Sequence, residues 1–397
     1  MDRTLELDRE AVADKFDADI LQVAEALSAD ELQKLGKAKA FFARTIKPIA
    51  VDCWITERFP LEVLPAIADA KINGLHRRGH SKLFTGLLNM EFARADLSIN
   101  TFFGVHDELV TEAIHRYGTD EQRESIVPVL ERLDGIGSFA LTEPTSGSDI
   151  SRGMRTTATR DGDSWIINGE KTWIGNGTIA THIVTFARDT NDGTLRAFIV
   201  RTPAQGLHIT RLESKIAART VQNAHLGFDS VRVPEANRIP GVSAFKDVNV
   251  LLRDSRIWVS WQSVGLQLAA IDMALEFAAD RSRFGRPLAG FQLIQSHLAT
   301  MAGNASASLA LMRHVADLQD QELAGVEHAA LAKTLCGRLM RETLSLGRAL
   351  MGGDGLLAEQ GMAKLFADGE AVFTYEGTHE VNSLILGRAM TGHAAFA

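Results

Sequence analysis

The order of hydrophobic periodicities constrains this chain most: a strand-patterned block lies between two helix-patterned blocks. In the first, residues 1–138, SADELQKLGKAKAFFARTIKPIA opens with Ser28 three residues before Glu31, the spacing of a capping box. LLNMEFARAD, HDELVTEAIHRYG and TDEQRESIVPVLERL continue the helical style, with Thr119 as a helix start. The middle block, 139–243, changes character. TTATRDGDSWIINGEKTWIGNG, HIVTFARDTNDGTLRAFIV and AHLGFDSVRVP are rich in β-branched and aromatic residues, and DGDSW and NDGT read as hairpin turns. From 244 to 397 long helical patterns return with short joints, as in a bundle. The expectation is an α+β chain: an N-terminal helical domain (1–138), an antiparallel β domain (139–243) and a C-terminal helical bundle (244–397). Strands do not alternate with helices, which disfavours a parallel doubly wound sheet.

Charge and cysteine usage exclude several classes. The net charge of −8 opposes general nucleic-acid binding, which needs a basic surface. Two cysteines, Cys53 and Cys336, are too few for a disulfide framework or a thiolate zinc site. No apolar run is long enough to span a membrane. The acidic start, MDRTLELDREAVADKFD, lacks the basic and apolar regions of a leader and points to a cytoplasmic protein.

Some familiar signals lack their context. Gly135-Ile-Gly137-Ser-Phe-Ala140 fits a dinucleotide fingerprint on paper, but a helix precedes it and a strand follows, the reverse of what that turn requires. His76 and His80, in GLHRRGH, have no third ligand suggested, so a solvated basic turn is expected and no metal site. Three other segments are open to two readings. FALTEPTSGSDI, Phe139–Ile150, is either a decorated surface turn or a cradle of N–H groups and hydroxyls for an acceptor-rich ligand. In KTWIGNG, Trp173 is either core or an aromatic face for a flat ring. RSRFGRPLAGFQ, Arg281–Gln292, is either a helix end with favourable cations or a pyrophosphate clamp.

Taken in order, these segments resemble the acyl-CoA dehydrogenase family, which includes the acyl-CoA oxidases. The carriers are LTEPTSGSD (141–149), KTWIGNG (171–177), VRVP (231–234), DRSRFGRPLAGFQ (280–292), MGGDGL (351–356) and TYEGTHEVNSLILGRAMTG (374–392). Glu359, Lys364 and Asp368 follow the glycines at the family's spacing. RDSRIWVSWQSVG and GRAMTGHAAF make the chain most similar to the glutaryl-CoA dehydrogenase and plant short-chain acyl-CoA oxidase branch.

The resemblance implies FAD-dependent oxidation of the Cα–Cβ bond of a short-chain acyl-CoA to the trans-2-enoyl-CoA. Glu376 matches the base that removes the α-proton while the β-hydride passes to FAD. Burial beside Tyr375 should raise its pKa. Flavin contacts carry over to Phe139, Leu141, Thr142 and Trp173. Arg281, Phe284 and Gln292 would reach FAD of a neighbouring subunit, which implies a homo-oligomer, most simply a tetramer. Thr378 and Glu380 would lie near the adenosine diphosphate, with Thr378 capping a helix whose N-terminus faces phosphates. Ser148, Arg256 and Tyr375 match substrate contacts. Ser255 stands where a related subfamily puts its base, so Glu376 has no rival there.

Two departures qualify the resemblance. Gly175 replaces a hydroxyl residue near the flavin, which keeps open an oxidase that uses O2 beside a dehydrogenase that reduces electron-transfer flavoprotein. Asn100, in LSINTFF, stands where glutaryl-CoA enzymes carry an arginine for the distal carboxylate, so glutaryl-CoA is a weaker expectation. Trp258 and Trp261 either shorten the acyl pocket or belong to the core. An inactive acyl-CoA-binding flavoprotein is the alternative of a different class, and Glu376 argues against it.

Overall fold

The computed structural model describes residues 21–395; the acidic N-terminal stretch, Phe396, which ends the GRAMTGHAAF segment, and Ala397 lie outside them. Helix α1 (Ala29–Phe41) begins at the expected capping box: Ser28 Oγ accepts from the Glu31 N–H at 3.3 Å, and the Glu31 carboxylate accepts from the Ser28 N–H at 3.2 Å. Helix α2 (Lys82–Ala95) and α3 (Leu97–Phe103) meet at Asp96, whose carboxylate caps α3 through the Ile99 N–H at 2.7 Å. Helix α3 runs on into a π-helical segment, Gly104–Thr111, the wide turn that often marks a functional site. Helix α4 (Asp120–Glu131) starts at a second capping box, Thr119 with Gln122.

The sheet that follows contains β1 (Gly137–Ala140), β2 (Thr157–Asp161), β3 (Ser164–Ile174), β4 (His182–Asp189), β5 (Leu195–Arg201), β6 (Leu207–Arg211), β7 (Ala224–Pro234) and β8 (Arg238–Ile239). Its order is β6-β7-β3-β2-β4-β5-β8, with β1 also on β4. Most pairings are antiparallel, as the hairpin turns predict. The β1–β4 and β2–β4 pairings are parallel, because the chain crosses over the sheet before β4 returns beside both strands. Helix α4 precedes β1, so the Gly135–Gly137 segment is not a phosphate-binding turn.

Among the described residues five α-helices follow: α5 (Phe245–Asp280), α6 (Gln292–Asp320), α7 (Val326–Leu350), α8 (Met362–Thr374) and α9 (His379–Thr391). Helix α5 is central. It packs against α2, α6, α7 and α8, which explains why its sequence is apolar nearly all round. Among the described residues no helix is long and apolar enough to cross a membrane. Cys53 and Cys336 are buried free thiols.

One expectation fails here. The GLHRRGH segment is not a solvated basic turn. Arg77 is nearly buried, paired with Asp107 and, at 3.0 Å, with Glu131, while His76 Nδ1 lies 3.2 Å from Glu108. Carboxylates of the π-helical segment and of α4 draw these cations inward, because a buried charge persists only when paired. His76, Asp107 and Glu108 come close enough to suggest a cation site, yet the Arg77 guanidinium is already paired with Asp107 there.

Candidate active site

The Thr374–Asn382 segment forms a constrained turn between α8 and α9. Glu376 has φ 57° and Gly377 has φ 83°, so two successive residues are left-handed. A glutamate held there costs about 1–3 kcal/mol, and such strain collects where surrounding contacts dictate it. Those contacts are explicit. Arg256 Nε on α5 donates to the Glu376 carbonyl at 3.2 Å. The fully buried Asn382 donates to the carbonyls of Glu376, Gly377 and Thr378 at 3.4, 2.8 and 3.1 Å. Thr378 caps α9, its hydroxyl accepting from the Val381 N–H.

The Glu376 side chain is aimed into the protein. Its Oε2 is shielded from solvent and has no hydrogen-bond partner among the described residues. Burial pushes the Glu376 carboxyl above its ordinary value, while Arg256, the Ser255 hydroxyl and Lys333 pull it partly back. Burial likewise pulls the Arg256 guanidinium down, and Glu376 opposes that. Lys333, on α7, is 2% exposed, and its ammonium donates to the Phe373 carbonyl at 3.2 Å. Burial brings Lys333 down to about 8. The sequence reading missed Lys333; its signal is a lysine on the apolar stripe of α7 with Ala330, Cys336 and Met340.

Tyr375 is held by an amide relay that the sequence also concealed. Its hydroxyl donates to Gln262 Oε1 at 2.6 Å. Gln262 Nε2 donates to Asn100 Oδ1 at 2.6 Å and to Thr101 Oγ1 at 3.2 Å. Asn100 donates to Asn89 at 2.8 Å, and Asn89 to the Trp258 carbonyl at 2.7 Å. Asn100 is thus a buried neutral link.

A second group lies on the sheet. The Lys171 ammonium is fully buried and donates to the Leu141 carbonyl at 2.9 Å and to Glu143 at 2.8 Å. Glu143 accepts from the N–H groups of Arg155 and Thr156. The LTEPTSGSD loop is thereby tied to β3, with Leu141 buried, Thr142 half-buried and Ser148 exposed. Trp173 sits at a β-bulge with φ 59° and is 61% exposed, so it is not core. Phe139 differs: its ring packs 4.8 Å from Phe186 in the core, and its backbone lies in β1 beside Val184 of β4. Beside this group, a Cβ built on Gly175 would lie 2.9 Å from Val105 Cγ2.

A third group is separate. Arg281, Phe284 and Gln292 are exposed, Phe284 by 95%; the first two lie in the turn between α5 and α6, and Gln292 begins α6. Arg281 lies 3.5 Å from Asp354. Glu380 is exposed on the first turn of α9. The structure therefore brings Arg256, Tyr375, Glu376 and Thr378 together and gathers Leu141, Thr142 and Trp173 elsewhere. The third trio faces outward.

Comparison with known proteins matches residues 28–133 to the acyl-CoA dehydrogenase N-terminal domain, 138–231 to the middle domain and 245–391 to the C-terminal domain. The chain belongs to the acyl-CoA dehydrogenase family. It is 30% identical to the mitochondrial short-chain specific acyl-CoA dehydrogenase of Bos taurus over 87% of this chain and 86% of that protein. A glutaryl-CoA dehydrogenase from Mycobacterium smegmatis, solved in complex with FADH2, superposes with a TM-score of 0.92 at 29% identity, over 96% of this chain and 99% of that one. Butyryl-CoA dehydrogenase from Megasphaera elsdenii gives 0.87 at 28% identity, over 92% and 98%. This acyl-CoA dehydrogenase family member is accordingly an FAD-dependent oxidoreductase. Its own residues fit the cofactor: an exposed indole on a strained bulge offers a flat face, and the capped N-terminus of α9 offers backbone donors to phosphate.

Proposed function

We propose that the chain oxidises a short-chain monocarboxylic acyl-CoA to the trans-2-enoyl-CoA, with Glu376 as the α-proton base and electron-transfer flavoprotein as acceptor. The observation that carries this reading is the shielded, unbonded Oε2 of Glu376 on a strained turn. A desolvated carboxylate is a stronger base than one in water, and here Arg256 and Lys333 keep its ionised form accessible. The Glu376 N–H is our candidate donor to the thioester oxygen, where negative charge develops. Tyr375, Arg256 and Ser148 would orient the thioester and CoA. Bound FAD supplies the hydride acceptor. Phe139, Leu141, Thr142 and Trp173 would hold its ring region, and Thr378 and Glu380 its adenosine diphosphate. Arg281, Phe284 and Gln292 would complete the cofactor site of a second copy, which makes a homotetramer part of the proposal. A cytoplasmic location belongs to the proposal too.

Two observations rank the alternatives. Val105 closes on the space that a side chain at Gly175 would fill, which favours electron-transfer flavoprotein over O2. Asn100 is neutral and spent in the relay, so nothing there offers a cation to a distal carboxylate, which disfavours glutaryl-CoA. The purified protein should be yellow and should bleach on anaerobic addition of butyryl-CoA. In air, electron-transfer flavoprotein should be reduced faster than hydrogen peroxide appears; a peroxide yield matching substrate consumed would mark an oxidase. Absence of bleaching with any acyl-CoA would end the dehydrogenation reading.

Lys333→Met removes a cation that pulls the Glu376 carboxyl down. The acid limb of the kcat/KM–pH profile should therefore move to higher pH, and Lys333→Arg should restore it. An unmoved limb in the methionine variant would show that Lys333 only anchors the end of α8.

A further inference from the structure

We propose that Trp258 is the floor of the acyl site and limits this enzyme to straight acyl chains of about butyryl length. This inference rests on the dehydrogenation reading above and adds the residue that sets its chain length. Two helix faces enclose the Tyr375–Glu376 pair. On α5, Ser255, Trp258 and Gln262 stand at i, i+3 and i+7 and so share a face. Ser255 lies beside the Glu376 carboxylate, and Gln262 holds the Tyr375 hydroxyl. Opposite, Thr101 and Gly104 stand at i and i+3 where α3 passes into the π-helical segment. Thr101 accepts from Gln262 at 3.2 Å, and Gly104 meets the Trp258 ring. Trp258 therefore lies between the two points where these faces engage the base and its neighbour.

The contact with Gly104 is close. A Cβ built there would lie 2.5 Å from Trp258 Cζ3 and 2.7 Å from Cη2, so only glycine lets the indole settle against the helix. The next residue, Val105, is the one that closes on Gly175, so the wall continues toward the sheet. The backbone that carries the ring is also held, because Asn89 donates to the Trp258 main-chain carbonyl at 2.7 Å. Trp261 differs. It is 2% exposed and packs against Gly86 inside the core, whereas Trp258 is only half-buried. The two tryptophans thus divide the alternatives: Trp261 is core, and Trp258 stands at the site. A rigid indole there takes the volume that further methylenes would need. The amides beside it are already committed to one another, so the floor offers a long or charged acyl tail neither room nor a partner.

The test measures anaerobic dye-coupled kcat/KM for butyryl-, hexanoyl- and octanoyl-CoA in wild type, Trp258→Phe, Trp258→Leu, Trp258→Gly and Gly104→Ala. Flavin absorbance of each purified variant reports folding. The octanoyl-to-butyryl ratio should rise with decreasing side-chain size, by about tenfold or more in the smallest variant that retains flavin, since one methylene in an apolar pocket is worth about 10- to 200-fold. Gly104→Ala should act oppositely, pushing the indole inward and raising KM for butyryl-CoA. A wild-type preference for octanoyl-CoA, or a ratio unmoved across flavin-retaining variants, overturns the inference. Failure of the wild type to bleach with any acyl-CoA instead overturns the reading beneath it.

Discussion

Glu376→Gln should retain FAD yet lose about 10²–10⁴-fold in the rate of flavin bleaching by butyryl-CoA, the usual contribution of a positioned proton acceptor. The amide keeps the size of the carboxylate and can remain on the same strained turn, because Arg256 and Asn382 bind the backbone there. Loss of bleaching with the flavin spectrum intact therefore isolates proton abstraction; undiminished bleaching would remove Glu376 from the reaction. The same substitution has a stability signature with a defined sign. The folded-state pKa of Glu376 is raised. The stability associated with such a carboxyl is present in full below the ordinary value of 4.5 and is lost as pH rises through the folded value. Above the ordinary carboxylate range the raised folded value of Glu376 thus costs stability, and the neutral amide removes that cost. Thermal melts of the FAD-free protein should show Glu376→Gln above wild type at pH 7, with the difference vanishing below the ordinary carboxylate range. A site that sacrifices stability for a reactive group behaves this way.

How much of this was legible depended on the range of the interaction. The α–β–α order could be read because helix and strand periods are local, and so could the caps at Ser28 and Thr119, whose partners lie three residues away. Glu376, Arg256 and Tyr375 were legible through resemblance, and the structure brings those three together. What stayed hidden depends on distant neighbours. Lys333 reads as an ordinary helical lysine until α7 is laid under the end of α8. Asn89, Asn100 and Gln262 are scattered polar residues that become one relay only when α2, α3 and α5 pack. GLHRRGH reads as a wet basic turn because its acidic partners come some thirty to fifty-odd residues later, a separation spanning Asp107 to Glu131. The parallel β1–β4 pairing has the same cause, since it joins Gly137 to His182 across the β2–β3 hairpin.

The largest stability effect should come from Lys364→Met, at about 3–5 kcal/mol, the usual result of stripping the partner from buried charges. Lys364 lies 2.7 Å from Asp96 and 2.9 Å from Asp368, and all three side chains are almost wholly buried. Burial pushes the Asp96 carboxyl up even with Lys364 beside it, so removing the lysine leaves carboxylates that water cannot reach. The triad also joins three parts of the chain. Asp96 caps α3, the helix that leads to Thr101 and Gly104. Asp368 lies on α8, which ends at Tyr375, and its Oδ1 accepts from the Trp54 indole at 2.8 Å and from the Ala218 N–H at 2.7 Å. Charge and packing can be separated by pH. Asp96, whose folded value is raised, contributes stability that is lost as pH rises, so the deficit of Lys364→Met should be larger at pH 8 than at pH 5. A deficit independent of pH would mean that lost packing, not charge, is responsible. Adding Asp96→Asn and Asp368→Asn should recover most of the loss, because each amide keeps an oxygen for the N–H groups now bound and no longer carries a buried charge. Since α3 supplies one wall of the proposed acyl site and α8 leads into Tyr375 and Glu376, denaturant unfolding of the single variant should be accompanied by weaker butyryl-CoA binding, and the triple variant should recover both together.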